Sequence, residues 1–133
     1  MRVLTDWADQ DLDEIGTVDE VGIAPQGPLG WLRSYTTVWI VRVGDDLYVR
    51  SWRGRDGSWY RTAVQSHAGS VRAGNIQRDV VFEEDDHTDP AAINEAYCAK
   101  YRAHPSYVGA MVSPNAAATT LRLGPLYTKG PQK

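Results

Sequence analysis

The sequence predicts a mainly β, α+β fold: a small antiparallel barrel of about six strands with short flanking helices. Three observations carry this. Tyr35 to Val43 and Leu47 to Trp52 are rich in β-branched and aromatic residues and meet at Gly44-Asp45-Asp46, a hairpin pattern. Ser70 to Ala73 and Ile76 to Glu83 repeat the pattern around Gly74-Asn75. Both strands of the first hairpin place apolar residues on each face for part of their length, which a closed barrel with a covered outer surface explains.

The remaining elements follow in order. Thr5 or Asp6 can cap a short acidic helix with Trp7, Leu12 and Ile15 on one face and Gly16 as its stop. Val18 to Ala24 reads as the first strand, and Pro25 to Gly30 as a glycine/proline loop. Ser58 can cap a helix from about Trp59 to Ser66. Asp89 followed by Pro90 marks the start of a helix that runs to about Ala103, with Ile93, Ala96, Tyr97 and Tyr101 as its apolar stripe. Pro105 to Val112 reads as a further short helix and Ala117 to Leu126 as the last strand. The whole, 1–133, reads as one domain with an N-terminal helix in 1–16 and a loose tail over 127–133.

Charge is unevenly spread. The net charge of -3 argues against bulk nucleic-acid binding. Residues 1–20 carry seven acids and one arginine, whereas residues 50–72 carry five arginines and one acid, Asp56. The densest stretch is Arg50-Ser51-Trp52-Arg53-Gly54-Arg55-Asp56-Gly57-Ser58-Trp59-Tyr60-Arg61. It joins a strand to a helix start, where free backbone N–H groups and guanidinium forks suit an anion such as a phosphate. Arg50, Ser51, Arg53 and Arg61 are the candidate cradle, and Trp52, Trp59 and Tyr60 could cover a flat ring.

Other chemistries find little support. His67, His87 and His104 are scattered, with no metal-ligand spacing to one another or to the single cysteine, Cys98. Glu83 to His87 reads as a solvated acidic loop. The lone cysteine and the acidic N-terminus, without a secretory signal or a membrane-length apolar run, point to the cytoplasm. Nothing matches a nucleophile elbow, a P-loop or a dinucleotide fingerprint.

Several stretches carry a resemblance: Val21-Gly22-Ile23-Ala24-Pro25, Leu47 to Gly54, Trp59-Tyr60-Arg61, Val71-Arg72-Ala73-Gly74, Ala96 to Tyr101 and Ala118 to Leu123. Together they resemble the bacterial family named domain of unknown function 2255, over about residues 7–126. The middle region is also similar to flavin-reductase-like split barrels and to deazaflavin-dependent nitroreductases. The resemblance implies a six-stranded split β-barrel, usually a homodimer, with FMN or the deazaflavin coenzyme at the subunit interface. It implies cofactor contacts at Arg33, Arg50, Ser51, Arg53, Trp59, Tyr60, Arg61 and Arg72. Those nitroreductases carry a Gly-Arg-Lys-Ser-Gly type loop where this chain has Pro25 to Ser34, so Arg33 and Ser34 are the residues left for its phosphate-binding role.

Two functions compete at this point. One is an oxidoreductase that uses FMN or deazaflavin to reduce a small planar acceptor. The other is a cofactor-free binding protein, cyclase or isomerase with a pocket lined by Trp31, Trp39, Trp52 and Trp59. A haem barrel ranks last, because no histidine stands where an axial ligand is needed.

Overall fold

The computed structural model describes residues 7–84 and 88–126. The expected caps Thr5 and Asp6, the end of the acidic run at Asp85, Asp86 and His87, and the tail from residue 127 lie outside the described residues.

The first helix, α1 (Asp9–Thr17), buries Leu12 and Ile15. Trp7 lies just before it, buried, and its indole N–H donates to the carbonyl of Leu123 at 2.8 Å. The helix passes through Gly16, the expected stop, and ends where Val18 turns extended. Gly16 does not take the left-handed backbone that makes a terminating glycine useful.

Among the described residues, seven strands form one sheet: β1 (Val21–Pro25), β2 (Thr36–Val38), β3 (Ile40–Val43), β4 (Asp46–Val49), β5 (Ala68–Ala73), β6 (Ile76–Glu84) and β7 (Leu121–Pro125). Their order is β2-β1-β5-β6-β7-β4-β3, and every neighbouring pair is antiparallel. The two ends of that order, β2 and β3, are separated in the chain by Trp39 alone. The single strand expected over Tyr35 to Val43 therefore changes partner at Trp39, from β1 to β4, and this closes the barrel. The break raises the strand number from the expected six to seven. A long-range contact holds it: the N–H of Ile40 donates to the phenol oxygen of Tyr101 at 3.0 Å.

The barrel has a core on each side of this wall. Val21, Val38, Ile40, Leu47 and Val49 point inward with Ile23, Phe82 and Leu123. Val41 and Tyr48 point outward, as alternation along a strand requires, and are covered by Ile93, Tyr97 and Tyr101. The covering residues come from α3 (Pro90–Lys100) and the residue after it. This outer layer is why the first hairpin is apolar on both faces. Asp89 caps α3, its carboxylate accepting from the Ala91 N–H at 3.0 Å.

Two short helices complete the cover, α4 (Pro105–Met111) and α5 (Pro114–Ala117). The last strand begins at Leu121 rather than at Ala117. Residues before it stay coiled because the Thr119 and Thr120 hydroxyls donate back to the carbonyls of Ala116 and Ala117, at 2.6 and 2.7 Å.

Candidate functional site

The stretch after β4 leaves the wall at Arg50, makes a 3-10 turn over Gly54–Asp56 and enters α2 (Ser58–Ser66). The turn is tightly wound: the Gly54 N–H donates to Ser51 O at 2.9 Å, and the Gly57 N–H to Gly54 O at 3.1 Å. Gly54 has φ +69°, and a side chain there would also strike Asn115. Gly57 takes the N-cap position that Ser58 was expected to hold, and no side chain caps the helix. The reason is steric, since a Cβ on Gly57 would overlap the hydroxyl of Ser51. Among the described residues, the first-turn N–H groups of α2 are thus left for water or a ligand.

Arg50 is the most unusual residue of this corner. It is only 1% exposed. Its Nε donates to Thr120 Oγ1 at 2.9 Å, and its Nη1 donates to Asn94 Oδ1 at 2.6 Å and to the Met111 carbonyl at 3.0 Å. The guanidinium carbon lies 5.4 Å from the centre of the Tyr97 ring. Its Nη2 is buried and has no hydrogen-bond partner among the described residues. Among the described residues no carboxylate pairs with Arg50. Burial pulls its pKa down, an effect that Tyr97 partly opposes. A buried cation with a free donor and no counter-charge is costly unless an anion completes it.

Arg50 lines a cavity of about 650 Å³ that opens between the barrel wall, the start of α2 and α4. Ser51, Arg53 and Trp59 line it too, with Gly57 and Ser58 between them. Apolar surface comes from Trp39 and Met111, and the exposed rings of Trp52 and Tyr107 stand at its margin. The size and mixture suit a small ligand.

Four of the eight residues singled out in the sequence are therefore brought together: Arg50, Ser51, Arg53 and Trp59. The other four lie elsewhere. Tyr60 is buried in the barrel core, its ring edge-on to Trp59 at 6.2 Å, and its pKa is raised by burial and by Glu84. Arg61 is exposed and outside the cavity. Arg72 packs over the Tyr35 ring at 4.0 Å on the outside of β5. Arg33 folds back over Gly27 in a loop closed by its own N–H to Pro25 O at 2.8 Å. Of the four tryptophans expected in an alternative pocket, Trp39, Trp52 and Trp59 line the cavity and Trp31 does not.

Some lining residues had no signal in the sequence. Tyr107 and Met111 come from α4, and Glu20 from the residue just before β1. Their place depends on strand pairing and helix docking. Ser51 is fixed by an equally remote contact, its N–H donating to Thr119 Oγ1 at 2.8 Å.

The fold recurs among solved structures. A conserved hypothetical protein from Mycobacterium tuberculosis is 12% identical over 93% of this chain and 83% of that one, with a TM-score of 0.56. A protein of unknown function from Agrobacterium tumefaciens is 17% identical over 98% of this chain and 59% of that one, with a TM-score of 0.58. A FAD-binding protein from Mesorhizobium loti is 16% identical over 95% and 94% of the two chains, with a TM-score of 0.51. No curated protein matches the chain. The sequence pattern of one family matches residues 11–123, so the chain belongs to the family described as "Uncharacterized protein conserved in bacteria (DUF2255)".

Proposed function

We propose that the cavity binds an anionic flavin-type cofactor, FMN or the deazaflavin coenzyme, and that the protein is an oxidoreductase reducing a small planar acceptor. The observation that carries this reading is Arg50 itself, a residue of the cavity wall that is almost fully buried and whose Nη2 has no hydrogen-bond partner among the described residues. A phosphate there would take a charge-assisted bond from Arg50, with Arg53 and the open N-terminus of α2 beside it. Trp39, Trp59 and Met111 offer apolar surface for a ring. The FAD-binding protein of the same fold supports the ligand class. When bound, such a cofactor supplies hydride transfer, while the chain binds its anion, orients its ring and excludes water.

Titration with FMN and with the deazaflavin coenzyme, followed by fluorescence quenching, tests the proposal. Saturable binding of either one, weakened at least tenfold by Arg50→Met, supports it. Failure to bind both sinks it.

A second reading keeps the cavity and discards the cofactor: a small acid is bound, or isomerised or cyclised, without a flavin. The positions of Arg33, Arg61 and Arg72 outside the cavity favour it, because they leave fewer cations for a long phosphate tail. Retention of a small aromatic acid by a protein that rejects both cofactors would select this reading.

We also propose that the chain forms one domain, works in the cytoplasm and pairs as a homodimer. Leu29, Trp31 and Leu32, exposed on the Gln26 to Arg33 loop, support the pairing. Sedimentation at the mass of one chain would remove it.

A further inference from the structure

Strand register places two opposite charges around Trp39. Val21 pairs with Val38 across β1 and β2, and Ile40 pairs with Val49 across β3 and β4. One residue further along each ladder, Glu20 and Arg50 fall on either side of Trp39. Val21, Val38, Ile40 and Val49 all point into the barrel interior. Their neighbours Glu20, Trp39 and Arg50 consequently share the outer face. All three line the cavity. Two strand spacings separate the backbones of Glu20 and Arg50 by about 10 Å.

We propose that the cavity selects a planar ligand with its acid at one end only and an amine or N–H donor at the other. Arg50 takes the acid, the ring lies along Trp39, and the Glu20 carboxylate accepts from the donor end. A second acid at that end would meet Glu20 as a like charge. The two charged residues differ in kind. Arg50 is buried and supplies affinity, whereas Glu20 is exposed and supplies discrimination. One face of Trp39 is already covered by Tyr101, so the ligand meets its other face or its edge. The inference rests on the same anion site as the cofactor reading, but not on a flavin ring.

Three rigid probes test it: benzoate, terephthalate and 4-(aminomethyl)benzoate, each titrated against the full chain at low salt by tryptophan fluorescence. The wild type is expected to favour 4-(aminomethyl)benzoate over terephthalate by about fivefold, the scale of an exposed charge contact. Glu20→Gln should bring that ratio close to one, and Arg50→Met should weaken all three together. Raising the salt should shrink the ratio, because Glu20 is solvated. Equal affinities in the wild type, a ratio that survives Glu20→Gln, or no binding of 4-(aminomethyl)benzoate overturns the inference. The FMN and deazaflavin titrations decide the cofactor reading separately. A protein that binds FMN yet ranks the three probes equally keeps that reading and loses this one.

Discussion

The phenol ring of Tyr101 lies flat against the indole of Trp39, with ring centres 3.9 Å apart and planes within 1° of parallel. The same residue holds the strand break beside it. Its hydroxyl accepts from the Ile40 N–H at 3.0 Å and lies 2.7 Å from the Asp19 carbonyl, to which it can donate. One side chain thus fixes a wall of the cavity and the point where the barrel closes.

Tyr101→Phe keeps the stacked ring and removes only the hydroxyl. The Ile40 N–H then loses its partner in a buried place, which costs about 1–3 kcal/mol. Urea denaturation should show that loss. Tyr101→Leu should lose more, because the ring contact with Trp39 goes as well.

Arg50→Met exchanges a buried cation for an apolar chain of similar length. It relieves the desolvated charge but leaves the Met111 carbonyl and Thr120 without their donor. The opposed effects should keep the net stability change below about 2 kcal/mol. Ligand affinity should fall as well, by about ten- to a hundredfold, the size of one hydrogen bond to a charged group. Paired thermal melts and anion titrations separate the two effects.

Gly57→Ala drives a methyl group into the Ser51 hydroxyl. Crowding of this kind costs about 1–3 kcal/mol. Ser51→Ala makes room by deleting the oxygen, so the double variant should recover most of the loss. A double-mutant cycle measured in urea should give a coupling well above the few tenths of a kcal/mol seen for independent sites.

Lys100 gives the stability curve a definite slope in mild alkali. Its ammonium donates to the Ile40 carbonyl at 2.7 Å, and burial lowers its pKa from 10.5 to about 8, against an opposing pull from Asp19. Between those values the unfolded chain binds more protons than the folded one, so stability rises with pH. Below about pH 8 the side chain is charged in both states and this slope vanishes. Buried Tyr97 and Tyr101 have raised pKa values, so above about pH 10 they pull stability down as the unfolded chain ionises. Urea midpoints from pH 8 to 10 should climb in the wild type and stay flatter in Lys100→Met.

Much of the fold was legible because it rests on local chemistry. Gly74 takes the positive φ that its turn needs, and Asp89 caps α3 as its place before Pro90 suggests. The apolar two-faced hairpin correctly announced a covered barrel. The break at Trp39 could not be read, since it is made by Tyr101, sixty-two positions away in the chain. The arginine-rich corner was visible as a cluster, but not the fate of each member. Arg50 reads like a surface cation until Asn94, Met111 and Thr120 close over it. Arg61 and Arg72 belong to the same arginine-rich half of the chain and lie outside the cavity.

The change of partner at Trp39 also constrains how the chain can mature. Until Leu121–Pro125 arrives between them, β4 and β6 both present open edges, the kind that invite pairing with other chains. A chain emerging from the ribosome therefore stays exposed to aggregation until Leu121–Pro125 has been made. Thr120, the anchor of Arg50, enters with that same strand, so the ligand site is finished at the moment of closure. A compound that fits the cavity should act as a folding aid, raising the yield of soluble protein when supplied during synthesis.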